Sequence, residues 1–345
     1  MKKTQRLAAV AALSALALTA CTSTGGNESG TDVRVVAFSV MENANEPVFE
    51  DFKATDAGAD VNFVPSYGPS GDQSRSVVNG ADADVVHFSL ETDVTRLVDA
   101  GLVDQNWKDT PTNGIATSSV VVFVVRKGNP ENIQGWDDLV KPGIEVVTPN
   151  PGSSGSARWN ILAAWAHVAG NGGTEEQAKT FVSDLLANTP ALPASARDAT
   201  SAFEEGDQDV LLSYENEAVI AKQNGVDVDY IVPDDTLLIE NPAAVTTEAS
   251  DAGKAFLEFM TSPEAQADYA QAGFRPVIDG VDFGDVEGAN DPTDPFPVPP
   301  TLFTIDDTFN GWGEAADTFF ADGEDGGPVG IITQLIADSG SDAQE

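Results

Sequence analysis

The chain has 345 residues and a formal net charge of −39, with 56 Asp and Glu against 17 Lys and Arg. So negative a surface argues against nucleic acid and anionic lipid as partners, and a single cysteine excludes any intramolecular disulfide. The length exceeds what one compact core ordinarily holds, so two lobes are expected.

The first elements concern export. Lys2, Lys3 and Arg6 form a positive start, and residues 7–20 are an apolar run of roughly 14 residues, too short to span a bilayer. The run ends Leu18-Thr19-Ala20-Cys21, a lipobox-like pattern. Residues 1–20 therefore read as a lipoprotein signal peptide and Cys21 as the lipidated residue. Residues 21–32 are polar and rich in Ser, Thr and Gly, as a flexible tether should be. The expected product is exported, lipid-anchored to the outer face of the cell membrane, and touches the membrane through that lipid only.

Residues 34–40 read as a buried strand, followed by a helix over 46–53. A second strand at 61–65 leads through the loop 66–71 to a helix over 72–79. A third strand, 83–88, precedes a helix over 92–100. This alternation predicts parallel βαβ units, which receive ligands at the carboxyl ends of their strands. The β-branched run 118–126 suits a strand buried on both sides that crosses between lobes. Next come 136–139, a strand at 144–147, and a turn packed with Pro, Gly and Ser from Thr148 to Ser156. That turn runs into an apolar helical segment, 161–166. Helices over 175–187 and from Ala199, then a strand over 209–214, complete this stretch. The chain returns to the first lobe near 237–245, with a helix over 252–260. Residues 279–300 form an Asp-, Gly- and Pro-rich excursion before a last helix at 312–320. Lobe I is thus 33–117 plus 237–290, lobe II 118–236, and 291–345 a C-terminal extension packing on both.

Three loops share one design: Pro69-Ser70-Gly71, Ser154-Gly155-Ser156 and Ala194-Ser195-Ala196 each precede a predicted helix. A small residue near a helix N-cap leaves orphan N–H groups waiting for an acceptor at the positive end of the helix dipole. If the three converge, they offer donors alone. That is what an oxyanion without a proton needs, and it disfavours phosphate, which keeps a proton at neutral pH. Any one of them is also an ordinary cap. Arg75, Arg158 and Arg197 lie within five residues of the loops, among seven arginines after Cys21. They read either as braces behind the loops or as plain surface ion pairs. Tyr214, ending an apolar strand, reads as a phenol donor or as an interface tyrosine.

Catalysis finds little material. His87 and His167 fall in apolar segments, and no cysteine follows Cys21. A transition-metal site lacks ligands, so no metal and no cofactor are expected. Acid pairs such as Glu215 and Glu217 arise freely among 56 acids. Gly68-Pro-Ser-Gly71 lacks the Lys-Ser/Thr ending of a P-loop.

Several motifs then fall in one order: Tyr67-Gly-Pro-Ser-Gly-Asp-Gln-Ser-Arg-Ser76, Val124-Val-Arg-Lys-Gly-Asn-Pro130, and the Thr148-to-Asn160 segment TPNPGSSGSARWN. After these come Val210-Leu-Leu-Ser-Tyr-Glu-Asn-Glu-Ala218, Gly273-Phe-Arg-Pro-Val277 and Leu302-Phe-Thr-Ile-Asp306. Over residues 35–336 the chain resembles the sulfate-binding proteins that serve ABC importers. The resemblance implies an α/β, two-lobed type II periplasmic-binding-protein fold. Each lobe would be a mainly parallel sheet flanked by helices, with hinge strands between. It implies a non-enzymatic monomer that closes on dehydrated sulfate, or thiosulfate, and delivers it to the transmembrane subunits of an ABC permease. The family's neutral donors map onto Ser70, Ser154, Gly155, Ser156, Ala196 and Tyr214. Two positions depart: Ser156 stands where many members have Gly, and Tyr214 replaces an indole donor. From the loop 41–44 no residue is carried over. Phosphate or molybdate is the rival ligand, and an anchored hydrolase the rival class.

Overall fold

The structure, a computed structural model, describes residues 30–323 and 327–340. The predicted signal peptide and Cys21 lie outside the described residues.

β1 (Thr31–Phe38) is apolar on both faces because it is central: it pairs in parallel with β2 (Val61–Gly68) on one side and β3 (Val85–His87) on the other. The β2 strand lies at the sheet edge, which tolerates Pro65 within it. The helices α1 (Met41–Lys53), α2 (Ser70–Val78) and α3 (Glu91–Asp99) follow these strands. The first begins five residues before the expected 46, and Pro47, which reads as a first-turn residue, sits inside it. α2 and α5 (Gly155–Ala169) also start earlier than expected, because their Ser-Gly loops are themselves first turns.

β4 (Ile115–Arg126) serves three partners. Its first half runs antiparallel to β8 (Asp235–Val245), and its second half runs antiparallel to β6 (Val210–Tyr214) and β7 (Val228–Ile231). One hydrogen-bonded path thus runs β2-β1-β3-β8-β4-β6-β5, where β5 (Val146–Val147) pairs in parallel with β6. The parallel pairing expected from the βαβ rhythm holds for β1–β3 and β5–β6. β8 also pairs in parallel with β9 (Thr301–Phe303), while the pairings of β3 with β8 and of β4 with β6, β7 and β8 are antiparallel, because β4 leaves lobe I and β8 returns to it beside β4 in the opposite direction.

The second lobe carries α4 (Trp136–Leu139), α5, α6 (Glu175–Ala187), α7 (Ala196–Glu205) and α8 (Glu215–Gln223). Eleven of the fifteen residues of α5 are buried. A helix apolar all round needs cover on more than one side. One cover is the sheet, and another is the C-terminal extension, where Trp312 and Phe319 of α12 (Gly311–Phe320) stand edge-on to Trp159 and Trp165 at 4.6 and 4.8 Å. The remaining elements are α9 (Asp251–Met260), α10 (Pro263–Gln271), β9 (Thr301–Phe303), α11 (Ile305–Phe309) and α13 (Ile331–Ser339). Six elements stand outside the expectations from sequence: α8, β7, α10, β9, α11 and α13. No helix among the described residues is long and apolar enough to cross a membrane.

Candidate binding site

The strands of lobe I finish level: Phe38 pairs with Gly68, and Ala37 with His87. Their carboxyl ends therefore deliver the N-termini of α1, α2 and α3 to one place. Opposite them, lobe II presents the N-termini of α5, α7 and α8. The lobes meet there through hydrogen bonds. The Gly71 N–H donates to Ser153 O at 3.2 Å, the Trp159 indole N–H donates to Ser89 O at 3.0 Å, and the Ser89 and Tyr214 hydroxyls lie 2.7 Å apart. Within lobe II, Ser153 Oγ donates to Ala194 O at 2.7 Å, tying the α5 loop to the α7 loop. All three loops singled out by sequence come together, and the cleft is closed.

The donors in this closed cleft divide sharply. The backbone N–H groups of Ser70, Gly155, Ser156 and Ala196, all first-turn positions, donate to no group among the described residues. Ser154 spends its amide on Asn150 O at 2.8 Å, but its side chain makes no capping bond. Ser156 Oγ is buried without a hydrogen-bond partner among the described residues. By contrast Ser195 is an ordinary cap, accepting from the Asp198 N–H. Buried amides and hydroxyls left unpaired cost free energy unless an acceptor meets them. Tetrahedral oxyanion chemistry fits these groups: many donors, and no carboxylate oxygen free to repel.

The nearest carboxylate is neutralised. Asp93 is buried, accepts from Ser70 Oγ at 2.6 Å and pairs with Arg96 at 2.9 Å. The three arginines anticipated from sequence behave differently from one another. Arg158 is a brace: its Nε donates to Pro151 O at 2.9 Å, its guanidinium lies 4.8 Å from the Phe320 ring centroid, and burial lowers its pKa. Arg197 faces buried Glu217 at 3.2 Å, behind the α7 N-terminus. Arg75 pairs with Asp72 of its own helix, half-exposed, although it borders the cleft at Gly71. Glu215 and Glu217 are not a free acid pair. Arg275 binds Glu215 at 2.8 Å, Arg197 and Thr200 hold Glu217, and burial still pushes both carboxyls up.

Tyr214 is fully buried and touches Ser89 and Asn241. Burial raises its pKa, so the phenol keeps its proton. His87 is likewise buried in the lobe I core, and burial pushes it down to about 3. His167 packs against Trp136 and binds Asp235 at 2.8 Å. Among the described residues no cluster of His, Cys, Asp or Glu is arranged to hold a metal. A hollow of about 380 Å³ beside Arg34, Asp84 and Thr246 lies at the opposite ends of β1 and β3, away from these donors.

The chain and its fold are similar to those of known proteins. The family model for bacterial extracellular solute-binding proteins matches residues 33–275. A sulfate-binding protein of Synechococcus elongatus is 41% identical over 92% of this chain and 93% of its own length. The chain belongs to the sulfate-binding family of extracellular solute-binding proteins. The sulfate-binding protein SubI of Mycobacterium tuberculosis H37Rv matches in structure with a TM-score of 0.79 and 44% identity, covering 84% of this chain and 100% of that one. A thiosulfate-binding protein of Pseudomonas aeruginosa is 34% identical, covering 88% of this chain and 91% of its own. The two-lobed periplasmic-binding-protein architecture expected from sequence is therefore that of its relatives.

Sequence reading missed Ser89, Asp93, Trp159 and Asn241. One signal was present: Ser89-Leu90 leads from β3 into α3 just as Pro69-Ser70 leads from β2 into α2. The others act by long-range contact and carry no local mark.

Proposed function

We propose that this protein is the extracytoplasmic receptor of an ABC importer, binding sulfate between its lobes and handing it to the permease. The observation that supports this most is the set of unpaired N–H groups at Ser70, Gly155, Ser156 and Ala196, drawn from both lobes onto one closed cleft. In this reading Ser154 and Tyr214 add hydroxyl donors, while Arg158 and Arg197 brace the loops from behind. The ligand bridges the lobes, which turn about β4 and β8, and the closed form docks on the transmembrane subunits. No catalytic step is assigned. Lipidation at Cys21 would hold a monomer at the outer face of the cell membrane.

The charge of −39 does not oppose this function. At physiological ionic strength charges beyond about 8 Å are largely screened, and Asp93, the carboxylate at the cleft, is already paired. Thiosulfate, the ligand named for the Pseudomonas aeruginosa relative, is the second reading: Tyr214 stands where the family resemblance places an indole. Titration calorimetry with sulfate, thiosulfate, phosphate and molybdate decides among them, supported by thermal shift, since a ligand of the native state raises the midpoint. Sulfate or thiosulfate binding with phosphate silent is expected; tightest binding of phosphate or molybdate, or none of any anion, overturns the reading.

A further inference from the structure

Ser89 lies two residues past the end of β3 in lobe I and is almost fully buried. Its hydroxyl meets that of Tyr214, from lobe II, at 2.7 Å. It also faces the first turn of α5: a Cβ built on Gly155 would lie 2.4 Å from Ser89 Oγ. The hydroxyl pair therefore borders the free amides of Gly155 and Ser156, and it exists only while the lobes are together.

The protons of this pair can be counted from the groups fixed around it. Ser89 O is a carbonyl and only accepts, so Asn241 must turn Nδ2 toward it, at 3.2 Å. Its Oδ1 then faces Thr117, which donates to it at 3.2 Å. Thr117 has spent its proton, so His87 Nε2, 3.2 Å away, must be the donor of that contact. A single ring proton agrees with the neutrality that burial imposes on His87. The other N–H of Asn241 points at Tyr214 Oη across a long 3.5 Å contact, making the phenol oxygen an acceptor there. Ser70 Oγ offers the pair no outlet, because it accepts from the Ser89 N–H and donates to Asp93. Ser89 and Tyr214 own two hydroxyl protons. One lies between them, and the other has no protein acceptor among the described residues.

We infer that Ser89 and Tyr214 act together as one donor of the binding site, presenting a single spare proton to an oxyanion that carries none. Either hydroxyl can hold that proton. If Tyr214 donates to Ser89, Ser89 turns its proton on the ligand; if Ser89 donates, Tyr214 does. The pair thereby supplies one donor from two residues on opposite sides of the cleft. This rests on the oxyanion reading above.

The test is a double-mutant cycle by titration calorimetry, using sulfate and thiosulfate, on wild type, Ser89→Ala, Tyr214→Phe and the double variant. Each single variant leaves one hydroxyl with its own proton free for the ligand, so each loses at most about threefold in affinity. The double variant has no donor and loses about 10- to 150-fold. Melting curves without ligand show that all four proteins fold, and a Ser89→Thr, Tyr214→Phe variant, which has a hydroxyl at position 89, binds more tightly than the Ser89→Ala, Tyr214→Phe double variant. A wild type that binds no tetrahedral oxyanion overturns both this inference and the functional reading. A wild type that binds while the double variant loses no more than the product of the single losses overturns the shared proton alone. So does a single variant as weak as the double.

Discussion

Gly155→Ala tests closure with one carbon atom. The backbone at this position is ordinary helix, so Ala is free of strain and lobe II should fold unchanged. The new Cβ would stand 2.4 Å from Ser89 Oγ, 2.6 Å from Ser89 Cβ and 2.8 Å from Leu90 Cγ. Ordinary carbon contacts need about 3.5–4.0 Å, so lobe I must withdraw by about 1 Å. That stretches the Ser89–Tyr214, Trp159–Ser89 and Gly71–Ser153 bonds, which now measure 2.7, 3.0 and 3.2 Å. Overpacking costs about 1–3 kcal/mol and each weakened bond about 0.5–1.5 kcal/mol. Allowing for partial relief, the closed complex should lose about 2–4 kcal/mol, a 30- to 900-fold rise in Kd. Calorimetry with sulfate gives the affinity, and small-angle X-ray scattering gives the compaction on binding. A melting point without ligand like that of wild type, together with weak binding and lost compaction, is expected. Affinity within threefold of wild type, or full compaction, would refute the steric reasoning.

Ser154→Ala should weaken sulfate binding about 5- to 150-fold yet leave unfolding by urea unchanged, because the Ser154 hydroxyl makes no capping bond; equal losses in both would make it a structural residue. Arg275→Met strips Glu215 of its partner at 0% exposure and should cost about 3–5 kcal/mol in urea unfolding at pH 7. That loss should shrink as the pH falls and the raised Glu215 carboxyl takes up a proton. Asp268 has its pKa raised to about 6 by burial and by Asp51 and Glu264. The folded state thus binds a proton more tightly than the unfolded one, so stability falls as pH rises from about 4 through about 6. Asp268→Asn should gain about 1 kcal/mol above pH 7, after allowing for solvent screening, and nothing near pH 4. A gain that does not vary with pH would refute the assignment to Asp268.

What sequence revealed and what it hid follow one physical line. Local chemistry was legible: Ser70, Ser154 to Ser156 and Ala196 announced themselves as small residues at strand-to-helix turns. The β-branched run announced β4 as a crossing strand. Chemistry made by distant residues was not. Asn241, 124 residues beyond Thr117, shows in sequence no sign of the bond between them. α8 begins Glu-Asn-Glu and looks like solvent-facing helix, but Arg275 and Arg197 permit it to be buried. α1 starts at Met41, six residues before Pro47, although Pro is favoured in the first turn of a helix. Arg75, 83 residues from Arg158, could not be separated from it until the structure showed one paired within its own helix and the other bonded to a loop carbonyl.

Trp159 has a use beyond packing. Its indole is fully buried under Trp312, and its one polar hydrogen crosses to the opposite lobe. In the proposed hinge motion that bond belongs to the closed form, and opening would return the indole N–H to water. The emission of an indole responds to exchange of a protein partner for water, so Trp159 would serve as an intrinsic optical reporter of that opening.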